Sequence, residues 1–131
     1  MRSRSAAETE RFGEELGILL RPGDTVWVYG ELGAGKTAFA RGLARGLGIT
    51  EQVTSPTYAV ANTYMGQTVF THIDAYRLSG PDELFGAGLD EDDGIRAVEW
   101  AERAGTDIRG ICVMIEATGG EEREISLCYL L

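Results

Sequence analysis

The chain has 131 residues, 44% of them hydrophobic and 25% charged, with a formal net charge of −9. This length suits a single domain, 1–131, with one packed core and is short for two; the composition is globular rather than disordered. The acidic balance disfavours direct contact with nucleic acid. No run approaches the roughly 18 apolar residues of a membrane span, and the opening MRSRSAAETERFGEEL lacks an apolar leader, so a soluble, cytoplasmic protein is expected.

Residues 5–20 read as an amphipathic helix. Ser5 supplies a cap, Glu8 stands three residues later as in a capping box, and Phe12, Leu16, Leu19 and Leu20 fall on one face. Arg21-Pro22-Gly23-Asp24 ends it in a turn. TVWVY (25–29) is β-branched and aromatic throughout, as in a buried strand. From Lys36 a second helix is expected to run to Gly48, with Phe39, Leu43 and Leu47 as its apolar stripe. YAVANTYM (58–65) and TVFTHI (68–73) flank Gly66-Gln67 as an antiparallel hairpin. Residues 81–88 are expected to form a short helix, LDEDDG a polar loop, and residues 100–104 a helical turn. IRAVEW, ICVMIEA and EISLCYL supply the remaining strands. The 18 glycines weaken helix assignments wherever they interrupt a periodic stretch. Cys112 and Cys128 each lie in an apolar run and read as small buried hydrophobes rather than a disulfide, in keeping with a reducing compartment.

Between the first strand and the second helix stands Gly30-Glu31-Leu32-Gly33-Ala34-Gly35-Lys36-Thr37, a full G-x-x-x-x-G-K-[ST] phosphate-binding loop. Glycines let backbone N–H groups curl around phosphate oxygens, and the helix N-terminus adds its positive dipole end. Lys36 reaches the β- and γ-phosphates and the Thr37 hydroxyl is a magnesium ligand in this reading, so ATP and Mg2+ are the implied cofactors. Eleven of the twelve basic residues are arginine, and the single lysine is the one in this loop.

A loop of this kind needs an acid at the end of a neighbouring strand. Asp74 after VFTHI, Glu99 after IRAV and Glu116 after ICVMI all qualify, and by pattern alone Glu116 is the cleanest match. HIDAYRL (72–78) is chemically richer. It places the single histidine, an acid, an aromatic and an arginine at a strand exit, and Asp74 is its leading candidate. His72 reads more readily as a packed structural histidine, Arg77 as the partner of a nearby acid, and Asp90–Asp93 as a solvated loop.

Four blocks, ELGAGKT (31–37), SPTY (55–58), HIDAYRL (72–78) and VEW (98–100), occur in an order and spacing that resembles the TsaE (YjeE) family of bacterial P-loop ATPases. The resemblance implies an α/β fold: a three-layer P-loop NTPase-like domain with a mixed, mostly parallel sheet and an antiparallel hairpin. It also implies a role in threonylcarbamoyladenosine modification of tRNA, in which the ATPase acts on the TsaB–TsaD pair and meets tRNA only indirectly. Carried over, it makes Thr37 and Glu99 the magnesium-side residues and Lys36 and Asp74 the residues needed for hydrolysis. Glu31, Leu32, Gly33, Ala34, Gly35, Lys36 and Thr37, with Trp100, contact the nucleotide, and Ser55-Pro56-Thr57 form a switch-like loop. The family pattern thus favours Glu99 over Glu116, and Arg123 is a weaker candidate for the adenine side. Two other readings share the loop: a small-molecule kinase, which needs an acceptor pocket and a basic lid, and a binding protein whose docking surface is ordered by nucleotide.

Overall fold

In the computed structural model, residues 1–30, 35–51, 53, 61–74, 94–99 and 110–130 are described. The β-branched and aromatic runs become strands: β1 (Arg2–Ser3), β2 (Thr25–Tyr29), β3 (Ala61–Met65), β4 (Val69–Asp74), β5 (Ile95–Glu99), β6 (Gly110–Gly119) and β7 (Glu122–Leu130). The two apolar-periodic stretches become helices α1 (Ala6–Leu19) and α2 (Lys36–Gly46). Among the described residues the strands form one mixed sheet in the order β1-β7-β6-β2-β5-β4-β3. Its middle is parallel, with β2 between β5 and β6 and with β4 beside β5. Its flanks are antiparallel. The chain is therefore an α/β protein with a mixed sheet, mostly parallel in the middle.

The expected hairpin is present as β3–β4. A second one, β6–β7, turns through Gly120, whose φ of +54° is left-handed. β1 was not foreseen, since a two-residue strand carries no periodicity; its pairing with Arg123 and Glu124 defines it. The helix expected at 81–88, the polar loop at 90–93 and the helical turn at 100–104 lie outside the described residues.

β2 is buried along Thr25–Val28 because neighbours flank it on both edges, which explains its unalternating TVWV pattern. Val26, Val28, Phe70, Ile95, Ala97, Val113, Ile115 and Ile125 from the sheet meet Phe39, Leu43 and Leu47 from α2 in one core. Each fully buried aliphatic or aromatic side chain there contributes about 1.5–3 kcal/mol. α1 starts where Ser5 accepts a hydrogen bond from the Glu8 amide at 3.1 Å. α2 stops in a Schellman motif: the Gly48 amide donates to Arg45 O, the Ile49 amide donates to Ala44 O, and Gly48 has a φ of +80°. Its helical residues end at Gly46, two before the expected boundary.

The glycines inside the helices prove to be where the helices touch. A Cβ at Gly13 would stand 2.3 Å from Phe39 O, at Gly17 2.4 Å from Leu43 O, at Gly42 1.9 Å from Glu10 O and at Gly46 2.4 Å from Glu14 O. Spaced four apart on each helix, these positions share a face and let the two backbones come together without side chains between them. Arg45 bridges the same seam through Glu10 at 3.3 Å and Glu14 at 3.9 Å, a solvent-exposed contribution of little weight. Phe12 and Leu16 pack on the core as expected and Leu20 is buried, but Leu19 is 74% exposed. The inward face is set by Gly13 and Gly17, and Leu19 lies about 200° around the helix from Gly17.

Cys112 and Cys128 are both free thiols. They stand directly opposite each other across β6 and β7, with Cys112 half-buried and Cys128 exposed, so only the first fits the expectation of burial. Position in the sheet explains the difference: β6 lies between β7 and β2, whereas β7 is flanked on its outer side only by β1, which pairs with Arg123 and Glu124 and leaves Cys128 without an outer strand neighbour among the described residues. Burial, and next the neighbouring Cys128, push the Cys112 thiol up, against a hydrogen bond with Tyr29 that lowers it. Since the thiolate is the nucleophile, iodoacetamide at neutral pH should alkylate Cys128 first, with Cys112 labelled only at markedly alkaline pH. Peptide mass mapping across a pH series measures that order.

Candidate functional site

The parallel strands bring three chain segments to one end of the sheet. β2 ends at Tyr29 and passes into Gly30, where the loop begins; α2 starts at Lys36, where it ends. Glu31, Leu32, Gly33 and Ala34 lie outside the described residues. Gly35 precedes the first helical turn at φ +101° and ψ 17°, a left-handed conformation that costs little only without a Cβ. The first turn of α2 holds no acidic residue, so the positive end of the helix dipole is not offset from within the helix. Lys36 is buried and its Nζ donates to the carbonyl of Gly30, tying the end of the loop to its beginning.

β5 runs beside β2 with Val28 opposite Glu99, which brings Glu99 to the same end of the sheet. Its carboxylate is only 4% exposed. Thr37 Oγ1 approaches Glu99 Oε1 at 3.5 Å, a long hydrogen bond. Glu99 Oε2 meets His72 Nε2 from β4, and the His72 ring lies nearly parallel to Phe70, with centroids 6.5 Å apart and planes at 14°. Asp74 closes β4 in register with Glu99.

Of the acids considered, the structure brings Glu99 to Thr37. Asp74 is on the adjacent strand at the same level. Glu116 is instead exposed on β6, two residues past Met114, the partner of Tyr29, and opposite Glu124. Trp100, Ser55-Pro56-Thr57, Arg77 and Asp90–Asp93 lie outside the described residues.

Two residues that the sequence weighted lightly stand at this site. His72, read as a packed histidine, is fully buried, and it is also bound to the Glu99 carboxylate. Its two-residue spacing from Asp74 on a strand was the available signal, because alternate residues share a face. Arg123 is the second residue of the last strand, and its Nε lies 3.7 Å from where a Cβ on Gly35 would be, as does Thr9 Cγ2. The Arg123 Nη1 also donates to Gly120 O and Glu122 O, each at 2.8 Å, so the side chain is folded back along the β6–β7 turn beside the loop.

An oxygen-only pair, one hydroxyl and one carboxylate, suits a hard divalent cation. Two oxygens bound to one magnesium at 2.0–2.1 Å stand about 3 Å apart when adjacent and about 4 Å when opposite. Thr37 Oγ1 and Glu99 Oε1, 3.5 Å apart, have to close by about half an ångström to take adjacent corners of one magnesium octahedron. Among the described residues no cluster of three or more His, Cys, Asp or Glu forms, and no helix is long and apolar enough to cross a membrane. A magnesium ion held by this hydroxyl and carboxylate would take its remaining ligands from phosphate oxygens and water, as in nucleotide sites.

Known proteins share this sequence pattern and this fold. The family described as "Threonylcarbamoyl adenosine biosynthesis protein TsaE" matches residues 3–125. The tRNA threonylcarbamoyladenosine biosynthesis protein TsaE of Treponema pallidum (strain Nichols) is 41% identical over 116 residues, covering 86% of this chain and 86% of the relative. That of Bacillus subtilis (strain 168) is 38% identical over 125 residues, covering 91% and 78%. The crystal structure of YdiB from Bacillus subtilis superposes with a TM-score of 0.81 at 32% identity, covering 99% of this chain and 84% of that one. With the family model matching residues 3–125 and relatives 41% and 38% identical over most of its length, the chain belongs to the TsaE family.

Proposed function

We propose that this chain binds ATP with magnesium, hydrolyses it to ADP and phosphate, and couples that step to the TsaB–TsaD complex in tRNA threonylcarbamoyladenosine biosynthesis. The observation that carries the reading is the approach of the Glu99 carboxylate to the Thr37 hydroxyl at the N-terminus of α2, beside buried Lys36. Thr37 and Glu99 would hold magnesium, and the ion would supply charge neutralisation on the phosphate oxygens.

Each remaining residue has a role that its chemistry suits. The loop from Glu31 to Lys36 binds the phosphates through backbone N–H groups, with left-handed Gly35 letting the chain turn into the helix. Lys36 shifts from the Gly30 carbonyl to the phosphoryl oxygens, where its charge offsets the negative charge of the transferring group. Asp74, level with Glu99, orients the attacking water, and Trp100, which follows Glu99 directly, lies near the nucleotide. The net charge of −9 keeps tRNA phosphates away from the chain, so tRNA is reached through the partner proteins.

The isolated protein should bind ATP and turn it over slowly, and a TsaB–TsaD pair should accelerate phosphate release. Isothermal titration with ATP, then phosphate release with and without that pair, measures both. Fast hydrolysis by the chain alone, or a phosphorylated small molecule in place of free phosphate, contradicts the coupling.

A further inference from the structure

His72 is the one buried polar side chain at this site that the proposed chemistry leaves without a task. It is fully buried, on β4 at the level of Ala97 of the neighbouring strand, and its ring is stacked on Phe70. Its Nε2 contacts Glu99 Oε2, while among the described residues its Nδ1 is buried without a hydrogen-bond partner. In the carboxylate form that a cation requires, Glu99 can only accept, and Nε2 is then the donor of this bond. A histidine kept only to fill volume would sit equally well as an apolar side chain, without an imidazole nitrogen left unpaired in the core.

The two oxygens of Glu99 are thereby given different duties. Oε2 is held from behind by His72, and Oε1 faces Thr37. A glutamate has three rotatable side-chain bonds, and untethered it would lose that freedom on meeting a cation. It could also swing to bind through both oxygens, which the strict octahedral geometry of magnesium accommodates poorly. We propose that His72 is a positioning residue, whose bond to Oε2 holds Glu99 so that Oε1 alone is presented, with the Thr37 hydroxyl, to a divalent cation. The inference rests on the magnesium–nucleotide reading of the site and adds to it a buried support that selects for the cation. His72 acts through Glu99.

The test uses the whole chain and a fluorescent ATP analogue, titrated in EDTA and at rising Mg2+. The variants are His72→Ala, His72→Gln, Glu99→Gln and the double variant His72→Ala/Glu99→Gln, each checked for folding by thermal melting. Loss of an outer support typically weakens metal binding about 10- to 100-fold, so His72→Ala should raise the Mg2+ concentration for half-effect by that factor and change affinity in EDTA by less than about twofold. His72→Gln, which keeps a side-chain N–H donor, should recover most of the loss. The double variant should respond to Mg2+ as Glu99→Gln does, since the histidine then has no charged carboxylate to hold. Equal loss in EDTA and in Mg2+, no recovery by glutamine in a folded protein, or additive losses in the double variant would each overturn the proposal. If His72→Ala does not fold, His72→Gln is read against His72→Leu, and an unshifted Mg2+ response in the leucine variant overturns it equally. A wild-type chain that binds the analogue with no response to Mg2+ removes the magnesium reading itself, and a chain that does not bind the analogue at all removes the nucleotide reading, so those failures are separable from that of His72.

Discussion

Lys36→Ala is expected to lower ATP turnover by about 10²- to 10³-fold, the usual cost of removing one preorganised group that meets developing charge in a transition state. The reason lies in where the ammonium is kept. Lys36 is 5% exposed and spans from the first turn of α2 back to the Gly30 carbonyl, so its charge is held among buried groups before any phosphate arrives. Arginine is no substitute, because a planar guanidinium fork does not reproduce the compact ammonium that donates to the Gly30 carbonyl. The variant should stay folded, since Lys36 bonds the loop and stands apart from the packed core of Phe39, Leu43 and Leu47. Phosphate release at saturating Mg2+ and ATP, alongside a thermal melt, tests both halves. Turnover within threefold of wild type in a folded protein would remove Lys36 from the chemistry.

Gly42→Ala is expected to destabilise the chain by about 3 kcal/mol or more, lowering Tm by roughly 10 °C. Helix propensity alone predicts the opposite sign, a gain of about 1 kcal/mol for alanine over glycine in a helix interior. Packing wins here because the new Cβ would lie 1.9 Å from Glu10 O, 2.8 Å from Glu14 N and 2.9 Å from Glu10 C. All three are backbone atoms of α1, so no rotamer change relieves the clash and the helices must separate. A cost of that size is a large part of the 5–15 kcal/mol by which a native domain is ordinarily stable. Separation would also shift α2, which carries Lys36 and Thr37, relative to Glu99 on β5, so nucleotide affinity should fall with stability. Alanine at Gly13, Gly17 or Gly46 should act in the same direction and more mildly, because the contacts there open at 2.3–2.4 Å. Denaturant melts of the four variants establish the ranking, and a Gly42→Ala protein as stable as wild type would show that the helices are not locked together at this seam.

The helix glycines show how local reasoning goes astray. Read one residue at a time, Gly13, Gly17, Gly42 and Gly46 weaken their helices. Read in space, they are the surface by which α1 and α2 meet, and the exposed Leu19 follows from the same choice of face. Cys128 departs from expectation for a related reason. This end of β7 has no outer strand beside it among the described residues, so Leu127, Cys128 and Tyr129 are exposed on both faces despite their apolar run.

The amino-acid sequence by itself determined the features that depend on local chemistry. These are the strand-loop-helix unit from Thr25 to Gly46, the β3–β4 hairpin around Gly66, the Ser5 cap and the phosphate loop from Gly30 to Thr37. With SPTY, HIDAYRL and VEW, it also carried the likeness to the TsaE family, because those blocks combine residue types that few other sequences place at that spacing. By pattern alone it pointed to Glu116, and only the family resemblance pointed to Glu99 instead, since each of Asp74, Glu99 and Glu116 simply ends an apolar run. The approach of Glu99 to the loop belongs to the tertiary structure: Glu99 is 62 residues from Thr37 along the chain, and only the parallel pairing of β5 with β2 brings the two to 3.5 Å. The meeting of His72 with Glu99, and of Arg123 with the Gly35 end of the loop, is likewise decided by sheet order, which no local pattern encodes because strand neighbours are selected by the packing of the whole core.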